Sequence, residues 1–472
     1  MMIRFVYYLG GILTVKELTK GRPIELILMF AVPLLIGNLF QQLYSLSDTI
    51  IVGQTLGVNA LAAVGSTGSI QFLIIGFAQG LTAGLSIMSA QFFGAHDYKK
   101  VRESFATSIV ISAVVTVILT FLSVYFIHDI LMLMNTPAEI EHNAQLFSTI
   151  IFSGIITQMA YNLLANVIRS LGDSRTPLYF LIIAAVVNII LELLFILVFH
   201  WGVAGAGFAT VTAQLFSVVL CVIYIIKKIP LLQVHLDDFK HINGQMITSH
   251  LNVGLPMAFQ SSIIAIGAIM IQSALNSLGT TAVAATTAAS KIDQIATLPM
   301  NSFGVAMATY TAQNYGAREF SRILRGVKSA VLLSGGFSIV AALMMIVFGK
   351  NMVMLFIGKT DAGVLSLSQV YFNVNSSFYV LLAVLFIFRN TLQGLGKSFI
   401  PTAAGLVELG MRIGAALFLA TRFGYAGACF ASPLAWLGSC LVLISSYVSA
   451  VKMLKRRQKQ KDEEEAAILA NE

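Results

Sequence analysis

Six ionisable side chains of this sequence fall inside long apolar runs: Asp48, Glu192, Lys291, Asp293, Glu408 and Arg412. A charge at the centre of a bilayer costs at least ~2.5–3.5 kcal/mol on insertion scales, so each one needs a physical account. At helical spacing Asp48 has Tyr44, Ser45, Ile51 and Val52 as neighbours, and Glu192 has Asn188, Ile189, Phe195 and Ile196. Neither acid has a cation within one turn, and the N-terminal helices bounded below contain no Lys or Arg. An unpaired carboxylate in a low-dielectric surrounding tends to take up a proton or a cation. Asn188 shares a face with Glu192 and offers amide hydrogen bonds, and Thr210 on the next helix offers a hydroxyl. Such a cluster suits reversible binding of H⁺, or of a hard cation such as Na⁺. The alternative for either acid is simple hydration in an outer vestibule, more so for Asp48, which lies near the end of its helix.

The C-terminal half reads differently. Glu408 and Arg412 are four residues apart, acid first, the favourable order for a pair on one helix. Lys291 and Asp293 are two apart and do not face each other. The four charges sum to zero, so a structural or substrate-orienting role is expected of them.

These residues must be positioned by helices in a membrane. The chain of 472 residues is 57% apolar and 11% charged, against ~25% charged for a soluble domain. Twelve apolar segments, most of at least about 20 residues, read as transmembrane helices. The first set runs over 26–52, 60–93, 104–126, 144–167, 177–199 and 203–226, and the second over 253–278, 282–310, 327–348, 367–388, 400–420 and 425–448. Disorder, collagen and a disulfide scaffold are excluded by the same composition. Cys221, Cys429 and Cys440 lie in apolar runs without metal-ligand spacing, so no metal centre is implied.

The net charge of +8 does not indicate a nucleic-acid partner. All but five of the 29 Lys and Arg, Arg169 and Arg389 among them, fall on one side of the twelve segments. Lys350, Lys359 and Arg422 fall on the other, and Lys291 and Arg412 inside helices. By the positive-inside rule both termini are cytoplasmic. The stretch 1–15 lacks a small-residue cleavage site and does not read as a secretory signal, and translation starting near Val15 is a second reading of it. The expected organisation is an N-lobe over 1–226, a cytoplasmic linker over 227–250, a C-lobe over 251–451 and a charged tail over 452–472.

The halves repeat one another at an offset of 222 to 224 residues. Pro33 matches Pro256, and both prolines are expected to bend their helices. Gly57 through Ala63 matches Gly279 through Ala285, and Gln91-Phe-Phe-Gly94-Ala95 matches Gln313-Asn-Tyr-Gly316-Ala317. Gly172, Ser174 and Pro177 match Gly396, Ser398 and Pro401; Gly202, Ala204 and Gly205 match Gly424, Ala426 and Gly427. Six helices per repeat make the repeats parallel, an arrangement that recurs in secondary transporters. The duplication also removes a decoy. Gly396-Lys397-Ser398 lacks the earlier Gly of a phosphate loop, because Thr391 stands there, and its counterpart is Gly172-Asp173-Ser174. No nucleotide partner is expected. Gly76, Gly80 and Gly84 form a stripe where another helix can approach.

The run Pro33…Asp48-Thr-Ile-Ile-Val52-Gly53, with Leu61-Ala-Ala-Val64-Gly65, Gln91 through Ala95 and Arg169 through Asp173, resembles the multidrug and toxic compound extrusion (MATE) family, and within it the DinF-type branch. The resemblance implies an all-α membrane protein with two six-helix lobes in a V. It implies export of organic, often cationic, compounds in exchange for H⁺ or Na⁺, with no cofactor. It places the ion site on Asp48, Asn188 and Glu192, with Glu replacing the usual Asp, and matches Ala209-Thr210 to the family's Ala-Thr step. The acid that the NorM-type branch carries eight residues after Pro256 is here Ile264, and the tenth helix has no carboxylate, so that branch's C-lobe sodium site is expected to be absent. A monomer in the bacterial inner membrane follows from the same reading, with the bilayer and a small organic substrate as partners. The rival readings are a flippase for lipid-linked oligosaccharides and a non-transporting receptor or scaffold.

Overall fold

The structure is a computed structural model in which residues 17–134, 136–357 and 362–471 are described. Lys16, Lys359 and the stretch on which the start near Val15 turns lie outside them. No strand occurs among the described residues. Every span is helical, since a helix satisfies its own backbone polar groups in lipid.

In the N-terminal half, α1 (Pro23–Leu56) begins on a proline, whose missing N–H costs nothing at the first helical position. The single segment expected over 60–93 is two helices, α2 (Val58–Ser66) and α3 (Gly68–Gly94), broken at Thr67. The Thr67 hydroxyl donates to the Val64 carbonyl at 2.7 Å and helps to close α2. Next, α4 (Tyr98–Leu133) is capped by the Asp97 carboxylate, which accepts from the Lys100 N–H. The fourth span is α5 (Ala138–Ser153) and α6 (Ile155–Ser170), bent by 44°. The break is at Gly154, where a Cβ would lie 2.4 Å from Val211 Cγ2. The half ends with α7 (Arg175–Leu193), a π turn (Leu194–Val198) and α8 (Gly202–Lys228). The segment expected as a linker contains α9 (Leu236–Lys240), and α10 (Gly244–Asn276) already begins within it.

The second half follows the same plan. It runs through α11 (Thr280–Gly316), α12 (Phe320–Ile357), the pair α13 (Ala362–Ser376) and α14 (Tyr379–Gly394) bent by 49°, and α15 (Phe399–Gly414). A π turn (Ala415–Leu419) leads into α16 (Ala420–Cys429) and α17 (Ala431–Asn471), the tail continuing α17 as helix. Among the described residues nine helices are long and apolar enough to cross a membrane, and the bent pairs make eleven. The twelfth is α11, 37 residues long but rich in Ala and Thr and carrying Lys291 and Asp293, so its length qualifies and its hydropathy does not. Pro33 and Pro256 lie inside continuous helices rather than at breaks.

The backbone repeats as the sequence does. Left-handed φ values recur in pairs at Gly57 and Gly279, His96 and Arg318, Gly172 and Gly396, and Gly202 and Gly424. The two π turns stand at corresponding places. A turn with φ near +90° is open to glycine at little cost, which explains why Gly57 and Gly172 have glycine counterparts.

The chain forms two compact units, one built on Val32–Gly254 and the other on Leu255 onward together with Gly21–Ala31. The first has two cores, one around Phe105, Leu164, Val167 and Tyr224, the other around Val52, Ile127, Phe147 and Phe152. Within it Gly84 of the glycine stripe meets backbone: a Cβ there would lie 2.6 Å from Gly254 Cα. The second unit's main core gathers Phe372, Tyr379, Leu392 and Trp436. Large apolar side chains remain outside on α4 (Val117, Phe121, Tyr125) and α12 (Leu332, Leu343, Val347), as a lipid-facing surface requires.

Candidate functional site

In the first unit the sequence-selected residues come together on three helices. Tyr44 and Asp48 share a face of α1, Asn188 and Glu192 share a face of α7, and Thr210 projects from α8. Two small residues admit α8 close to α7: a Cβ on Gly205 would sit 3.2 Å from the Phe195 backbone, and Ala209 is fully buried. The π turn that follows Glu192 directly shifts the register of the α7 end. Such turns are frequent at functional sites because they re-aim side chains.

Asn188 and Glu192 are completely buried, and Asp48 is half-buried. The Asp48 and Glu192 carboxyls are neighbours. Thr210 Oγ1 accepts from Asn188 Nδ2 and from Tyr44 Oη, both at 3.4 Å. Asp48 Oδ1, Asn188 Oδ1 and both Glu192 carboxyl oxygens are buried with no donor among the described residues. No Lys, Arg or His among them reaches either acid within ion-pair distance. Two neighbouring carboxylates repel unless a proton or a cation stands between them, and oxygens without donors are free to take one. Among the described residues no cluster of His, Cys, Asp and Glu has the make-up of a transition-metal centre.

The second unit corrects the reading of a self-neutralising four. Lys291 is exposed. Asp293 accepts from Tyr379 in a short hydrogen bond and from Tyr371 at 3.4 Å, with no cation among the described residues beside it. Glu408 does accept from Arg412, at 2.8 Å as the spacing implies, but also from Arg389, at 2.8 Å. Arg389 had been counted with the basic turns. It lies inside α14, one residue beyond the expected end at 388, and its side chain is 7% exposed. The signal that locates it is the absence of any helix breaker between Phe388 and Gly394. Arg169 likewise lies inside a helix, in the last turn of α6. Sequence reasoning also gave no role to Tyr44, although it stands one turn before Asp48, or to Tyr371 and Tyr379.

Known proteins give the duplicated helices a family. The MatE family model matches twice, over residues 33–194 and 256–417. "Probable multidrug resistance protein YpnP" of Bacillus subtilis (strain 168) is 30% identical over 390 residues, 80% of this chain and 84% of that one. "Probable multidrug resistance protein YoeA" of the same strain is 27% identical over 428 residues, 89% and 92% of the two chains. The solved structure of an outward-facing multidrug resistance MATE family transporter of the MOP superfamily covers 93% of this chain, and 98% of its own length is matched. Its TM-score is 0.86 at 22% identity, a likeness of fold. Two matches one repeat apart, in a chain whose turns recur at the same interval, leave one conclusion: the chain belongs to the multidrug and toxic compound extrusion (MATE) family, a family of transporters.

Proposed function

We propose that the chain exports organic compounds, cations among them, across the bacterial inner membrane in exchange for H⁺ by alternating access. The observation that carries this reading is the buried neighbouring pair of Asp48 and Glu192 with no cation beside it among the described residues. In the proposed cycle the pair gains a proton from the outer side, its mutual repulsion falls, and α1, α7 and α8 repack as the cargo leaves. Reopening the pair to the other side releases the proton and restores the repulsion. Each net charge crossing the field contributes ~2.3 kcal/mol per 100 mV, so export of a neutral compound draws on the potential, whereas one-for-one exchange of a monocation for H⁺ moves no net charge and runs on the pH difference. The relatives' names, probable multidrug resistance proteins, support the cargo class, and the positions of Asp48, Asn188 and Glu192 support a DinF-type ion site. Both termini face the cytoplasm in this reading, which the distribution of Lys and Arg supports, and the working unit is a monomer.

Na⁺ in place of H⁺ is a second reading, favoured by the free Asn188 Oδ1. A neutral oxygen beside carboxylates is what a hard cation takes as a ligand. The test is purified protein in proteoliposomes, with a pH or a Na⁺ gradient imposed separately and efflux of a fluorescent organic cation followed. Export driven by one gradient identifies the ion. Dye movement that ignores both gradients overturns antiport.

A further inference from the structure

Within the second unit α10, α11, α13, α15, α16 and α17 line a half-open cavity of about 400 Å³, in the range of small-molecule pockets. Its wall carries Asp293 and Arg412, with Gln272, Gln294, Asn375 and Ser432 among the polar groups between. The two charged residues are not partners. Arg412 is engaged by Glu408 on its own helix, and Glu408 also holds Arg389, so this group of three carries one excess positive charge. Arg412 Nε is buried with no acceptor among the described residues. Close packing fixes the guanidinium: a Cβ on Gly267 would lie 3.1 Å from Arg412 Cδ and Nη1. Asp293 carries the opposite charge, and among the described residues only the phenols of Tyr371 and Tyr379 hold it. The cavity wall thus carries an acid with no cation beside it among the described residues and the Arg412 end of a group with one excess positive charge, and a buried excess of charge is costly. One molecule carrying both signs would compensate the two at once.

We infer that this cavity binds a dipolar organic molecule, its ammonium against Asp293 and its carboxylate against Arg412. The inference takes its meaning from the export reading but not its test, because binding is measured at equilibrium without any gradient. Three fluorescent probes of nearly one shape separate the charges. Nα-dansyl-lysine carries both, dansyl-cadaverine lacks only the carboxylate, and Nα-dansyl-norleucine lacks only the ammonium. With the purified full chain in detergent, Nα-dansyl-lysine is expected to bind at least tenfold more tightly than either of the others. Asp293→Asn should bring it down to the norleucine probe, and Arg412→Gln to cadaverine, each leaving the probe without the matching charge within twofold. Arg412→Gln leaves Arg389 and Glu408 as a neutral pair. Should it fail to fold, Ala268→Phe, which fills the cavity without touching either charge, must weaken all three probes. Equal binding of the three probes, or a preference for the dipolar one that survives Asp293→Asn, overturns the inference. Tight dipolar binding with no gradient-driven export would sink antiport and leave this site standing.

Discussion

Glu192 and Glu408 are the same residue type, each withdrawn from solvent in one half of a duplicated chain, and their surroundings are opposite. Glu192 adjoins a second carboxyl and has no donor on either oxygen among the described residues. Glu408 holds a guanidinium on each oxygen. Duplication supplied the same helices twice, and the two copies put buried charge to different ends. An acid whose neighbours are another acid and an amide changes state when an ion arrives. An acid clamped by two arginines bridges them and holds both guanidiniums in place.

The largest break in this comparison is Glu192→Gln. The amide keeps the volume and removes both the repulsion with Asp48 and the carboxylate proposed to take the coupling ion. Gradient-driven export in proteoliposomes should fall to the level of protein-free vesicles, while the protein purifies and melts as the parent does. Retained gradient-dependent export would end the assignment of Glu192 to coupling.

Glu408→Gln should act in the opposite sense. It leaves Arg389 and Arg412 buried without their shared counter-charge, and breaking a buried pair in this way costs about 3–5 kcal/mol. The loss should appear as a lowered melting midpoint and reduced yield of folded protein, whatever gradient is applied. If Glu408→Gln melts like the parent and Glu192→Gln does not, the contrast between the two acids is the wrong way round.

The sequence resolved these two regions unequally, for physical reasons. Asn188 and Glu192 were legible because they lie four residues apart on one helix, and Asp48 and Glu192 because no Lys or Arg lies near either in the chain. Arg389 was not, because a cation next to a helix end reads as a turn residue until the helix is known to continue to Gly394. The repeat was visible from matching glycines and prolines, and the recurrence of left-handed backbone at Gly57 and Gly279 explains why those residues are kept. The breaks at Thr67 and Gly154 left no apolar gap. Gly154 admits the Val211 side chain from a helix more than fifty residues later, a constraint that local pattern does not carry.

A finer test of the N-terminal site is Thr210→Val. The hydroxyl accepts two long hydrogen bonds, from Asn188 and Tyr44, and replacing it by a methyl group of similar size removes both. A loss of about 1 kcal/mol is expected, the size of an ordinary hydrogen bond. At equilibrium that is about a fivefold weakening of the coupling ion's affinity. The readout is the ion concentration that half-saturates export, with the maximal rate preserved. A collapse of the maximal rate would instead make Thr210 part of the moving element.

The smallest effect is expected at Lys291, and it sharpens the comparison by elimination. From the sequence Lys291 belongs with Asp293, Glu408 and Arg412 in a neutral set, and its removal should then unbalance the other three. In the structure it is exposed, while Asp293 is held by tyrosines and Glu408 by arginines. Lys291→Gln should therefore leave stability within about 0.5 kcal/mol of the parent, as for a surface position without partners. Dansyl-lysine binding should also stay within twofold, since the cavity charge comes from Asp293 and Arg412 alone. A fall in binding comparable to that of Arg412→Gln would mean that the carboxylate end is read by Lys291, and the excess charge on the Arg389–Glu408–Arg412 group would then be structural.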